Sequence, residues 1–499
     1  PQSGRDITAS QSWMRWFGFS MSISGDGNRI VGGAPYTTQS SGGGGQRGMV
    51  EVYDWNGSSW SIKGSTIFGT TNDQYGYSVA LSRDGTRWIA GGRYITDPNR
   101  SGYRTGAIRV YEWISNAWAQ VGQTLYGENI DDRFGEDVAI SADGTRIAIG
   151  APYNNGTGTR SGHVRVYDWN SGTSVWTQVG NDIDGEAAYD YSGGNDWIGR
   201  QLCMSDNGLR VAIGAHRNHS GSSSDSGHVR VYEESNNLWS QLGGDIDGVA
   251  TNDYFGSCVA MDANGVRIAV GAEGVDYNGI SNAGQVRVYQ YNAAKTVANA
   301  NGPIGWDKIG QDINGTNSKK MSTVALSSDG TRLAVGHVDG GSSQNPAYLY
   351  DWNTSTNSWD LFQQATPGYS STNNDWGASL ALSSDGNRFA VGAPTYYTGE
   401  IGVFDNIGAA TITTTTTTPP SFLGTNVLLS ATPNSWENTI PSGLYYLYRQ
   451  YNYLPSGGNY AGNVPNNTTY DPNGLPGFVR VFTRGTNSTW QGYGVQLGQ

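Results

Sequence analysis

Three sets of residues in this 499-residue chain have the types and spacing to do chemistry. Asp182-Ile183-Asp184-Gly185 and Asp245-Ile246-Asp247-Gly248 set carboxylates two residues apart before a glycine, as oxygen-rich loops for hard cations do. His216 and His219 could offer two nitrogens to zinc. Cys203 and Cys258 are the two thiols of the chain. In each case a structural role fits better. The stretches matching the two acidic ones, Thr66-Ile67-Phe68-Gly69 and Thr124-Leu125-Tyr126-Gly127, carry no carboxylate, so a turn-forming role is expected. The histidine pair lies in a Gly/Ser-rich loop without further ligands. His163 and His228 occupy equivalent places in two repeats, which points to architecture. The cysteines fall two register positions apart on neighbouring strands and read as buried small apolar groups. No Gly-x-Ser-x-Gly elbow, His-Glu-x-x-His helix or phosphate loop occurs. The expectation is a non-enzyme with no catalytic residue, metal or cofactor.

The elements that position these residues follow from composition and repeats. Glycine (73), tyrosine (30) and tryptophan (17) are abundant and only 14% of residues are charged. That profile suits short strands joined by glycine turns, with aromatics supplying buried area. A net charge of −12 argues against nucleic acid. There is no run of about 18 apolar residues, so no spanning helix is expected. The chain opens at Pro1-Gln2-Ser3 with no basic and apolar lead, which suits a mature or trimmed form.

A turn reading x-[Asp/Asn]-Gly-x-Arg occurs seven times, with glycines at 27, 85, 144, 208, 265, 330 and 386. Each joins two apolar alternating runs, as Val138-Ala139-Ile140 and Ile147-Ala148-Ile149 flank Asp143-Gly144. This is a hairpin signal in which both central residues can take positive φ. A third strand follows, as in Gly162-His163-Val164-Arg165-Val166-Tyr167, and a fourth begins at a tryptophan, as in Trp176-Thr177-Gln178. Four antiparallel strands in seven units make an all-β, seven-bladed β-propeller over residues 1–407. The seventh unit lacks its fourth strand, and Ser3-Gly4-Arg5-Asp6-Ile7-Thr8 resembles Ile309-Gly310-Gln311-Asp312-Ile313-Asn314 from another blade. The N-terminus is therefore expected to close the last blade and remove an open edge.

The repeat resembles the FG-GAP family, the unit of the integrin α-subunit propeller. Phe134-Gly135 and Phe255-Gly256 carry the first half of the motif, with Phe17-Gly18, Tyr75-Gly76 and Trp376-Gly377 as variants. Gly33-Ala34-Pro35, Gly150-Ala151-Pro152 and Gly392-Ala393-Pro394 carry the second. The resemblance implies the propeller fold. It also implies an acidic calcium loop between the first two strands, but here that place holds only the tight turn, as in Ser141-Ala142-Asp143-Gly144. One carboxylate cannot supply calcium's oxygens, and the arginine of the turn is expected to act structurally.

Residues 408–420 form a Thr/Pro linker whose Thr413, Thr414, Thr415, Thr416, Thr417 and Thr418 are O-glycan candidates. Sequons for N-glycans stand at Asn56, Asn99, Asn155, Asn218, Asn314, Asn353, Asn466, Asn467 and Asn487. Residues 421–499 read as a small C-terminal β domain or assembly segment, ending like half a blade. Phe478, Val479, Val481 and Phe482 there are patterned for burial. A neighbouring subunit's strand is favoured as their partner over the chain's own Leu444 to Tyr448. Two functions follow. The first is an extracellular or cell-surface structural protein, a homo-oligomer or filament of copies of itself joined through this segment. The alternative is an adhesin or lectin-like module binding glycans or surface proteins through propeller-face loops. It ranks second because the loops Gln39 to Gly48 and Tyr153 to Ser161 hold few aromatics.

Overall fold

The computed structural model describes residues 6–10, 16–38, 45–100, 103–186, 201–218, 224–315, 320–338, 346–365, 375–394, 399–405, 445–449, 478–484 and 490–496. Two compact units divide the chain, Pro1–Asn406 and Ile407–Gln499. Every regular element among the described residues is a β-strand. The linker 408–420, with Thr413 to Thr418, lies outside them.

The first unit is a seven-bladed β-propeller. Blade 3 is representative, with Val138–Ile140, Arg146–Ala151, His163–Asn170 and Val175–Gln178 pairing antiparallel in chain order. The fourth strand is broken. After Val175–Gln178 the chain turns and Ile183–Asp184 returns to pair with His163 and Val164. Blades 1, 2 and 4 repeat this break. In blade 7 the N-terminal Ile7–Thr8 supplies the second half, pairing with Ile401 and Glu400.

The turn departs from the simple two-residue hairpin. Only its glycine takes positive φ, as Gly27 does at 72°. Asp26 stays in ordinary space because its carboxylate is occupied: it accepts from Asn28 N at 2.9 Å and from Ser24 Oγ at 2.5 Å, and Ser24 Oγ accepts from Arg29 N at 2.9 Å. The working unit is thus Ser-x-Asp-Gly-x-Arg, and it recurs at Ser82, Ser141, Ser327 and Ser383.

Its second residue joins the blades. Gly25 N donates to Arg83 O, Arg83 N to Ala142 O, Ala142 N to Asp206 O and Asp206 N to Ala263 O. Ala263 N then donates to Ser328 O, Ser328 N to Ser384 O, and Ser384 N back to Gly25 O. All seven bonds measure 2.7–3.0 Å and form a closed circle. Outside that circle the turn arginines form a second one. Arg29, Arg87, Arg146, Arg210, Arg267, Arg332 and Arg388 each donate to the carbonyl of the next blade's turn glycine at 2.6–3.2 Å, Arg388 reaching Gly27. Six of them also pair with an acid on their own blade's third strand; blade 5 uses Gln290.

The Phe-Gly and Gly-Ala-Pro motifs do the same work at the opposite end of the strands. A Cβ on Gly33 would lie 2.1 Å from Gly76 O in the next blade, and one on Gly214 would lie 2.1 Å from Gly256 O. Only glycine lets the two backbones approach so closely. Hydrophobic clusters fill the gaps between blades; Ile89, Ile108, Phe134, Ile147 and Trp176 are among those packed between blades 2 and 3. First strands of all blades line a central channel of about 160 Å³. Arg83 lies across it, donating to Asp206 at 2.7 Å, to Ser384 at 2.9 Å and to Ser328. Cys203 lines the channel and Cys258 is buried, its thiol pushed up to about 12 by burial; neither is in a disulfide.

Among the described residues, the second unit contains one sheet. Phe478–Arg484 lies between Tyr445–Arg449 and Trp490–Gln496. The strand carrying Phe478, Val479, Val481 and Phe482 is therefore paired within its own chain, Leu447 opposite Val481, where a neighbour's strand was the favoured expectation. Tyr445–Arg449 is short and follows a region without clear alternation, so the sequence alone favoured an outside partner.

The N-terminus is strapped on both sides of the closure. Beyond its pairing with blade 7, Tyr53 OH donates to Thr8 O at 3.0 Å, and Ser10 N and Oγ both donate to buried Glu51. Deleting residues 1–10 is expected to lower unfolding free energy by about 3 kcal/mol or more, because it opens a sheet edge and removes two of the donors to buried Glu51, leaving Tyr53 and Thr66. An unchanged denaturation midpoint would refute this. Glu400, opposite Thr8, has Oε1 buried without a partner, and burial followed by nearby Asp6 raises its pKa to about 7. A carboxyl raised on folding favours the fold while protonated, so stability should fall as pH rises from the ordinary carboxylate range through about 7. Urea midpoints at about pH 5 and about pH 8 should differ in that sense, and Glu400→Gln should flatten the difference.

Candidate functional site

Where the repeats agree, side chains are committed to the ring. The acidic pairs show how. Glu128, His163 and Asp182 bring ligand atoms within 4.8 Å of one another, and Glu186, His228 and Asp245 do so one blade on. A guanidinium already serves each set. Arg165 Nη2 lies 2.7 Å from Asp182 and also contacts Glu128, while Arg230 Nη2 lies 2.8 Å from Asp245 and contacts Glu186. His163 is buried, and burial together with Arg165 lowers its pKa to about 4, so it is neutral. Asp184 and Asp247 sit in the short returning strands that pair with His163 and His228. His216 is buried near Tyr254, while His219 lies outside the described residues.

Among the sequons, Asn56, Asn99 and Asn155 are exposed and Asn314 and Asn353 half-buried. Asn218 is buried with Nδ2 donating to Glu186 at 3.3 Å, so a glycan on that atom would displace the bond. Asn466, Asn467 and Asn487 lie outside the described residues.

Where the repeats diverge, a surface forms. The residues just after Gly-Ala-Pro and just before Phe-Gly emerge at the same end of neighbouring blades. In blades 1–3 the first positions hold Tyr36, Arg93-Tyr94 and Tyr153, and the second hold Trp16, Gln74 and Arg133. They pack into one continuous shelf. Trp16 and Phe19 meet Tyr36 at ring-centroid distances of 5.4 and 5.6 Å, and Phe19 meets Tyr77 at 5.0 Å. Arg93 lies over Tyr77 at 4.1 Å and Tyr94 at 5.0 Å. Arg133 lies over Tyr153 at 3.9 Å and Tyr94 at 5.7 Å. Arg104 and Arg160, both exposed, approach Tyr94 at 5.7 Å and Tyr153 at 4.8 Å.

Buried Glu136 anchors the shelf from beneath, 3.3 Å from Arg93 and 3.8 Å from Arg133, and Gln74 accepts from Arg93 Nε at 2.7 Å. Burial pushes the phenols of Tyr36 and Tyr77 up, so both remain protonated donors at neutral pH. The arrangement can stack flat apolar faces on half-buried rings and offer rigidly held donors beside them. Sequence reasoning missed it by weighing the loops' middles rather than their roots. The available signal was the tyrosine that follows Gly-Ala-Pro at 36 and 153 and Gly-Gly-Arg at 94.

The turn carboxylates are bonded to serine and backbone, and the acidic sets around His163 and His228 are held by Arg165 and Arg230. Millimolar calcium is expected to leave its melting temperature within about 1 °C, since a cation that bound only the folded state would raise it. A rise of several degrees in a calorimetric scan would contradict this.

Residues 127–167 match the FG-GAP repeat family. That span holds Phe134-Gly135, Gly150-Ala151-Pro152 and most of the third strand of blade 3. No curated protein matches the chain. The contacts that Phe-Gly and Gly-Ala-Pro make in this repeat join blade to blade around the ring, so one blade of the seven-bladed propeller is similar to the FG-GAP repeat.

Proposed function

We propose that this protein is a binding module of the adhesion type, working outside the cell or at its surface, and that its ligand face is the tyrosine–arginine shelf of blades 1–3. The observation that carries this reading is the grouping of Tyr36, Tyr77, Tyr94 and Tyr153 with Arg93 and Arg133, none of which the seven-fold closure requires. Half-buried aromatics beside fixed donors are the composition of a recognition surface. FG-GAP repeats are typical of extracellular proteins, which supports the location. The proposed role is non-catalytic. Screening the full chain against an array of glycans and surface glycoproteins should give hits that Tyr94→Ala and Tyr153→Ala weaken about tenfold or more. Lys308→Ala, on the rim of blade 5, should leave them unchanged. Hits indifferent to both tyrosines would move the ligand face elsewhere.

A second reading is self-assembly through the C-terminal unit, as a fibre or array. It is favoured by the three-stranded sheet, whose outer members Tyr445–Arg449 and Trp490–Gln496 each have one paired side among the described residues. Edges of that kind accept strands from another copy. The full chain should then form higher assemblies while a chain ending at Ala410 stays monomeric. Light scattering that finds both monomeric across concentration removes this reading.

A further inference from the structure

We infer that the shelf on blades 1–3 takes an acidic saccharide, one bearing carboxylates or sulfates; this rests on the binding-module reading above. Arg93 is the centre of the case. Two of its five N–H donors are used, Nε on Gln74 at 2.7 Å and Nη1 on Glu136 at 3.3 Å. Tyr77 and Tyr94 pack against its guanidinium, at 4.1 and 5.0 Å. Stacking holds the plane of a guanidinium and leaves its edge to bind an oxyanion in a two-pronged fashion. The side chain retains 14% exposure.

Charge around it favours an anion. Arg93, Arg104, Arg133 and Arg160 gather on Tyr94 and Tyr153, and Glu136 is the carboxylate within ion-pair distance of Arg93 and Arg133. Its side chain is only 6% exposed, beneath the guanidinium groups. Of the other carboxylates at the root of these loops, Asp132 is turned to Asn129 N and Asn154 Nδ2 and Asp73 to Thr70, while exposed Asp131 lies beside Arg104, its N–H donating to the Arg104 carbonyl. This cluster stands out on a chain whose net charge is −12.

The remaining groups point to a sugar rather than an acidic peptide. Among the described residues the hydroxyls of Tyr36, Tyr77 and Tyr94 make no hydrogen bond, and burial keeps the first and second protonated. The half-buried rings of Tyr36, Tyr94 and Tyr153 alternate with the guanidinium groups of Arg93 and Arg133 across three blades. A pyranose chain presents the matching alternation of C–H faces and hydroxyls, with an acidic group for the arginine edge. A peptide that docks by strand addition needs a sheet edge, and the shelf is made of side chains at loop roots; the poly-glutamate competition below tests an acidic peptide held by the arginines alone.

Titration calorimetry of the full chain with an oligogalacturonate, a heparin-derived oligosaccharide and neutral maltohexaose tests this. At least one acidic probe should bind, and its affinity should fall with added salt. Binding of the oligogalacturonate alone assigns carboxylate, and of the heparin fragment alone sulfate. Arg93→Gln should weaken binding about tenfold or more, and Arg93→Lys nearly as much, because lysine keeps the charge and loses the fork. Should Arg93→Gln fail to fold by circular dichroism, exposed Arg104→Gln takes its place, with a loss of about threefold expected. Equal binding of maltohexaose, or full affinity in the folded arginine variants, overturns the acidic class and leaves the binding-module reading standing. Displacement of the probe by poly-glutamate at equal affinity overturns the saccharide class. Failure of every probe overturns the inference, and the Tyr94 and Tyr153 variants on the array then decide the broader reading separately.

Discussion

The propeller depends on a circle of seven backbone hydrogen bonds that closes on itself, Gly25 to Arg83 and onward to Ser384 and back. Each bond is an ordinary one, worth about 1 kcal/mol net. Their importance lies in geometry, because a circle fixes the number of blades and the angle between them together. The arginine circle outside it repeats the same connections with charge-assisted bonds, each worth about 1.5–3 kcal/mol. A blade displaced outward would break both at once and leave each guanidinium with the acid of its own blade but without the neighbouring carbonyl. Closure is therefore cooperative, and the N-terminal strand matters more than its two described residues suggest.

Much of this was legible. Seven turns at a regular period gave the blade count, and the arginine three residues after each Asp or Asn was expected to act structurally. Its partner was not legible, since the carbonyl it reaches lies in the next blade, 56 residues away from Arg29 at Gly85. The serine that opens six of the seven turns, with Asp262 in its place in blade 5, was also passed over, although Ser24 Oγ donates to the Asp26 carboxylate and accepts from Arg29 N. Local patterns announce which strands form a hairpin. They say little about which backbone atoms of separate hairpins will touch.

The shelf escaped for the same reason, amplified. Tyr36, Tyr94 and Tyr153 each look like an isolated aromatic at a loop root, and only ring closure makes them neighbours. The C-terminal sheet posed a different difficulty. Phe478–Arg484 and Trp490–Gln496 alternate visibly, whereas Tyr445–Arg449 has tyrosines on both faces and no clear period. A strand without alternation is found by its partner, not by its own sequence.

The two kinds of position bear on how such a protein acquires a function. Phe-Gly, Gly-Ala-Pro and the turn serine, glycine and arginine are bound by contacts that repeat round the ring, so a change at any of them disturbs a neighbouring blade. Residues immediately beyond Gly-Ala-Pro carry no such obligation. They sit on a backbone held by the close approach of Gly91 to Gly135 O, 2.0 Å from where a Cβ would stand, and so are placed with the rigidity of the ring. Recognition needs groups held in place before the ligand arrives, since ordering them afterwards costs affinity. The loop roots meet that need, and the loop middles do not. Tyr36, Tyr94 and Tyr153 share one place in three successive blades, so their spacing follows from the blade angle that the hydrogen-bonded circle fixes. The constraint that closes the propeller is thereby the one that builds its face.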